Sequence, residues 1–147
     1  MLKLTPTQFA AIFDALRDAG ASGGSDKRQH TRMQVQAQVR LATIARATGK
    51  IARGYTALTR DISYSGIGVM QFTPAEHGDG FIIFLPQGKG KAEDVVIRCT
   101  TRFSRPLAEG VFGVGGEFEE VASPELVKQL QQNTDGALER IRQSVLN

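Results

Sequence analysis

From Met33 onward, apolar residues return at every second position. Met33, Val35, Ala37, Val39 and Leu41 alternate with Gln34, Gln36, Gln38 and Arg40. A period of two lines up one apolar row along an extended chain, so this stretch reads as a strand with one face buried. The pattern recurs between turn signals. Thr48-Gly49-Lys50 is a turn, and a second strand is expected from about Ile51 to Ile62. A third follows Gly66, with Ile67, Val69 and Gln71 on one face and Met70 and Phe72 on the other. A fourth, FIIFL from Phe81 to Leu85, is apolar throughout, which predicts burial on both faces. A fifth is expected from about Val95 to Ser104, then a turn around Pro106 to Gly110, and a sixth from Val111 to Phe118. Six short strands with frequent turns predict a mainly β chain closed into an antiparallel barrel. Closure also removes the exposed strand edges that promote aggregation.

A helix is expected on either side. Over residues 5–18, Thr5 can cap, Pro6 suits the first helical position and Gln8 completes a capping box. Leu4 and Phe9 sit where a hydrophobic staple sits, and Phe9, Ile12, Phe13 and Leu16 share one face. A single helix of this length is marginal in water, so that face must pack on the barrel or on another subunit. Ser123-Pro124-Glu125 opens a second helix, with a stripe of Val127, Leu130, Thr134, Leu138, Ile141 and Val145. Spacing alone fits packing on the barrel or on a partner helix. The expected organisation is therefore residues 1–26 as a helix and glycine-rich linker, 27–121 as the barrel and 122–147 as a C-terminal helix.

Several function classes are disfavoured. Net charge is +3 and aromatic content 7%, without tryptophan, which offers few platforms for single-stranded nucleic acid. Cys99 is the lone cysteine and reads as a buried strand residue, so neither an internal disulfide nor a thiolate metal cage is expected. No apolar run is long enough to span a membrane. MLKLTPTQF lacks the apolar stretch of a signal peptide, so a cytoplasmic protein is expected. Gly20-Ala21-Ser22-Gly23-Gly24 matches G-x-S-x-G but lacks the strand-turn-helix context of a nucleophile elbow. No nucleophile-base-orienter set can be assembled, and no metal or cofactor site is expected.

Two short motifs remain. Arg28 and Arg32 lie four apart just before the first strand, in RQHTR. Each guanidinium is a planar fork that can donate two bonds to guanine O6 and N7 or to phosphate, and can stack on a purine. Asp61-Ile62-Ser63-Tyr64-Ser65-Gly66 follows at the end of the second strand. A carboxylate accepts from guanine N1-H and the N2 amine together. Ser63 lies two residues on, where its hydroxyl could reach a phosphate or base edge, and Gly66 permits a sharp turn or a close backbone approach. Taken singly, either motif is commonplace: a pair of solvated arginines, or an Asp/Ser turn closed by glycine.

Together, in this order and flanking this strand pattern, they resemble the PilZ family of bacterial cyclic di-GMP receptor domains. The resemblance covers about Lys27 to Glu120. Ile67-Gly68-Val69 and Gly113-Val114-Gly115-Gly116-Glu117-Phe118 are similar to the family as well. It implies a six-stranded PilZ-type barrel, often with a C-terminal helix, and a non-catalytic receptor or adaptor for cyclic di-GMP. Arg28 and Arg32 would bind guanine and phosphate, and Asp61, Ser63 and Gly66 would supply the barrel-side contacts. Lys27 is a further candidate contact, at a position that can influence whether one nucleotide or a stacked pair binds. Ligand would draw the arginine segment onto the barrel and move the tethered N-terminal helix, signalling to a protein partner. The alternative is a PilZ-like interaction module that works without nucleotide. Self-association through the helices fits either.

Overall fold

A computed structural model describes residues 2–19, 32–45, 49, 51–88 and 94–122. Helix α1 is Pro6–Ala19, and the strands are β1 Met33–Gln34, β2 Gln38–Ile44, β3 Ile51–Ile62, β4 Gly66–Gln71, β5 Gly80–Leu85, β6 Val95–Ala108 and β7 Val111–Val121. All pairings are antiparallel. The order runs β3-β2-β5-β6-β7-β4, and a β3–β4 pairing closes the ring. The result is a closed barrel of six strands, β2 to β7, with the short β1 added along β3. The C-terminal helix expected from Ser123, the linker, Lys27 and Arg28 lie outside the described residues.

The alternating pattern sets the inside of the barrel. Val35, Ala37, Val39, Leu41, Ile67, Val69, Ile83, Leu85, Ile97, Val114 and Phe118 are buried in one cluster. The run from Phe81 to Leu85 is buried on both faces, as its composition predicts. Its outward residues, Ile82 and Phe84, join Ala42, Ile51 and Ala122 in a second cluster outside the barrel wall. Cys99 is buried in the main cluster, and burial pushes its thiol pKa well above the ordinary range.

Two strand expectations are corrected. The stretch from Met33 to Leu41 is interrupted at residues 35–37, although its alternation persists. The cause is Thr59, whose fully buried hydroxyl donates to the Val35 carbonyl at 2.6 Å and accepts from Ala37 N–H at 2.9 Å. A side chain thus replaces part of the backbone ladder. The fifth expected strand does not end before Pro106. Here it is β6, which continues to Ala108 and leaves a two-residue turn, Glu109–Gly110. Pro106 is tolerated beside a register slip between Pro106 and Ala108, where a ladder N–H is dispensable. Gly110 adopts φ 76°, which a two-residue hairpin favours.

Helix α1 begins as its capping signals predict. Thr5 N–H donates to Gln8 Oε1 at 3.0 Å, and Gln8 N–H donates to Thr5 Oγ1 at 3.1 Å. Its apolar face packs on the barrel. Leu4, Phe9, Ile12, Phe13 and Leu16 belong to the main core cluster, with Ile12 and Leu16 fully buried. Among the described residues, no helix is long and apolar enough to cross a membrane.

Candidate functional site

The second motif spans the β3–β4 hairpin. The register between these strands slips between Thr59 and Asp61, so Arg60 is an extra residue on β3. Beyond the slip, Asp61 faces Gly68 and Ile62 faces Ile67. Ile62 and Ile67 are fully buried in the core, which leaves Asp61 and Gly68 on the outer wall. The carboxylate lies across Gly68. A Cβ there would stand 2.7 Å from Asp61 Oδ1. The glycine therefore makes room for the acid.

Arg32 reaches the same point from the other side. The chain enters β1 antiparallel to the end of β3, with Met33 opposite Ile62 and Gln34 opposite Asp61. Arg32, one residue earlier, donates from Nη1 to Asp61 Oδ1 at 2.6 Å. The side chains of Arg32 and Asp61 remain 45% and 25% exposed. A pair so open to water contributes at most ~1 kcal/mol, and a ligand that satisfies both groups can replace it at little cost. The structure thus brings one arginine of the first motif onto the acid of the second.

Ser63 is placed inside the hairpin turn. Its Oγ accepts from Gly66 N–H at 3.1 Å and Ser65 N–H at 3.3 Å, lies 3.3 Å from the Gly66 carbonyl, and is almost fully buried. The hydroxyl fixes the turn that aims Asp61. Gly66 does not use a positive φ. It allows close approach instead, since a Cβ would stand 2.5 Å from the Gly116 carbonyl oxygen on β7. That atom belongs to the backbone and cannot swing aside.

The turn is also tied to the N-terminal arm. Leu4 N–H donates to the Tyr64 carbonyl at 2.7 Å, and the Tyr64 ring lies 4.6 Å from the Phe9 ring. Lys3, Leu4 and Pro6 face Ser63, Tyr64 and Ser65 across a cleft of about 340 Å³. On the far side, Glu117 stands opposite Gly66 and is paired with Arg102, while Arg98 pairs with Glu120 at 2.9 Å. Both arginines are thus held in ion pairs. A second cleft, of about 380 Å³, lies further along the wall between Leu58, Met70, Phe72 and Val111, and Phe72 is 79% exposed.

Sequence reading placed Gly68 in a family-like segment but gave it no part in the site. The available signal was its place two residues after Gly66, which puts both glycines on one face of a strand.

No family model matches this chain, and no curated protein matches it. Among solved structures, the Bacillus subtilis inhibitor of motility (MotI/DgrA) aligns with a TM-score of 0.46 and 14% identity, over 78% of this chain and 52% of that one. The K. pneumonia MrkH–c-di-GMP complex aligns with a TM-score of 0.44 and 13% identity, over 81% and 53%. MrkH in its apo state gives 0.44 and 14%, over 80% and 53%. This chain spans about half the length of each.

Proposed function

We propose that this chain is a non-catalytic, PilZ-type receptor for cyclic di-GMP in the cytoplasm. The observation that carries the proposal is the meeting of Arg32 and Asp61 above Gly68. An arginine fork and a carboxylate seated on a glycine match the two edges of guanine. In this reading Asp61 accepts from guanine N1-H and N2. Arg32 turns from Asp61 to guanine or phosphate, and Arg28 joins it, with Lys27 nearby. Ser63 and Gly66 hold the turn and present backbone to the ligand. The domain organisation in the proposal is 1–26, 27–121 and 122–147, the last as a C-terminal helix.

The signalling step is constrained by α1. Releasing the helix would expose Phe9, Ile12, Phe13 and Leu16. At ~1.5–3 kcal/mol per large apolar side chain, that cost exceeds the differential affinity a small ligand ordinarily supplies. The change on binding therefore shifts the arm at Leu4 and Tyr64 while the helix stays docked, and a protein partner reads the shift. Calorimetry with cyclic di-GMP tests the receptor reading. Saturable binding by the wild type, with most affinity lost in Arg32→Ala, is the expected result. Equal titrations for both proteins would remove the site.

A nucleotide-independent interaction module is the second reading. The apolar cleft at Leu58, Met70 and Phe72 favours it, because an exposed apolar patch marks a contact surface. A flat titration with cyclic di-GMP at micromolar concentrations decides for it.

A further inference from the structure

The outer wall beside Asp61 continues across two more strands. Gly68 on β4 faces Gly115 on β7, and Gly115 faces Phe103 on β6. Phe103 leans over Gly115, and a Cβ at that glycine would stand 2.1 Å from the Phe103 Cε1 atom. Asp61 leans over Gly68 in the same way from the opposite side. A carboxylate and an aromatic ring thus lean onto a pair of facing glycines, which lie buried beneath them. Gly68 and Gly115 sit on neighbouring strands, ~5 Å apart, so the two groups that lean onto them border one small area of the wall.

Phe103 is unusual for its place. It is 46% exposed on the outer wall of a barrel whose inside is already filled. Arg105 lies behind it, with its guanidinium carbon 5.9 Å from the ring centroid. Of the three arginines along this part of the wall, Arg98 and Arg102 are held by Glu120 and Glu117. Among the described residues, Arg105 has no carboxylate partner. An aromatic face and a guanidinium with no carboxylate partner among the described residues, together with the Asp61 carboxylate, form a set that takes a base by its face, its edge and its adjoining phosphate.

We propose that Phe103 and Arg105 form a base-stacking subsite. The purine whose donor edge meets Asp61 lays its face on Phe103, and Arg105 takes the adjoining phosphate. The subsite rests on the cyclic di-GMP reading above and adds two residues that neither motif contains. Gly115 is essential to it, because any side chain there would displace the ring.

The test uses the full chain, cyclic di-GMP and three proteins. Wild type is titrated by calorimetry beside Phe103→Ala and Phe103→Trp. Stacking of one base on an aromatic ring corresponds to roughly 5- to 100-fold in affinity, so Phe103→Ala is expected to weaken binding by that factor. Phe103→Trp retains a stacking face and is expected to keep affinity. The chain has no other tryptophan, so its emission reports the subsite directly and should quench in step with binding. Wild-type affinity in Phe103→Ala overturns the subsite and leaves the receptor reading standing. So does tryptophan emission that stays constant while calorimetry registers binding, a result that holds even if Phe103→Ala fails to fold. A wild type that gives no heat with cyclic di-GMP overturns both.

Discussion

On β2 and β5 the residues pointing away from the core include Ala42, Ile82 and Phe84, beside the exposed Gln38 and Arg40, whereas on β4 and β7 they include Gly66, Gly68, Gly113 and Gly115. Both faces belong to one barrel and follow the same alternation. In the first, the patch of Ala42, Ile82 and Phe84 is apolar and buried although it lies outside the barrel. The second is stripped to backbone, and side chains from neighbouring strands lean onto it: Asp61 over Gly68, Phe103 over Gly115 and Leu107 over Gly113. Alternation decides which residues face outward. Side-chain size then decides whether that face builds a second apolar cluster or gives charged and aromatic side chains room to lie across the wall.

If the two faces differ in this way, substitutions should separate stability from binding. The largest effect belongs to the apolar face. Ile82→Ala is expected to lower unfolding stability by about 3 kcal/mol, as for other fully buried isoleucines, while leaving nucleotide affinity unchanged. Urea unfolding and calorimetry on one preparation measure both quantities, and a parallel loss of affinity would erase the distinction between the faces. On the glycine face the balance reverses. Asp61→Asn should weaken cyclic di-GMP binding by roughly 30-fold, since a charge-assisted acceptor is worth ~1.5–3 kcal/mol. Its unfolding midpoint should scarcely move, because the pair with Arg32 is exposed.

A smaller effect sharpens the role of the floor. Gly68→Ala places a methyl 2.7 Å from Asp61 Oδ1, and the carboxylate must rotate away from Arg32. Affinity is expected to fall about tenfold, the equivalent of a single hydrogen bond, although both charged residues remain. Unchanged calorimetry would mean that Gly68 serves packing alone. Arg32→Lys is the mildest. It keeps the charge and loses the fork, so a reduction of about fivefold is expected, with a steeper salt dependence as the readout that separates a point charge from bidentate bonding.

The barrel was legible because its cause is local. A period of two and frequent turn residues are properties of neighbouring positions, and so is the capping box of α1. The two misread strands have distant or conditional causes. The break at residues 35–37 is made by Thr59, which is remote in sequence, and β6 runs through a proline because a register slip frees that position. The site divides in the same manner. Arg32 and Asp61 could be picked out by chemistry, since few residue types match guanine. Gly68 and Gly115 fell in family-like segments without a role, and Phe103 in none, because what these residues do depends on which strand lies opposite which. That register is set by closure of the whole ring.

The central claim is that the glycine-floored wall, bordered by Arg32 and Asp61, is where cyclic di-GMP lies. Backbone amide resonances followed through a titration with that nucleotide address it residue by residue. Large shifts are expected at Asp61, Gly66, Gly68 and Gly115, with little change at Ala42, Ile82 and Phe84. Shifts concentrated on the apolar wall, or none anywhere at saturating nucleotide, would contradict it.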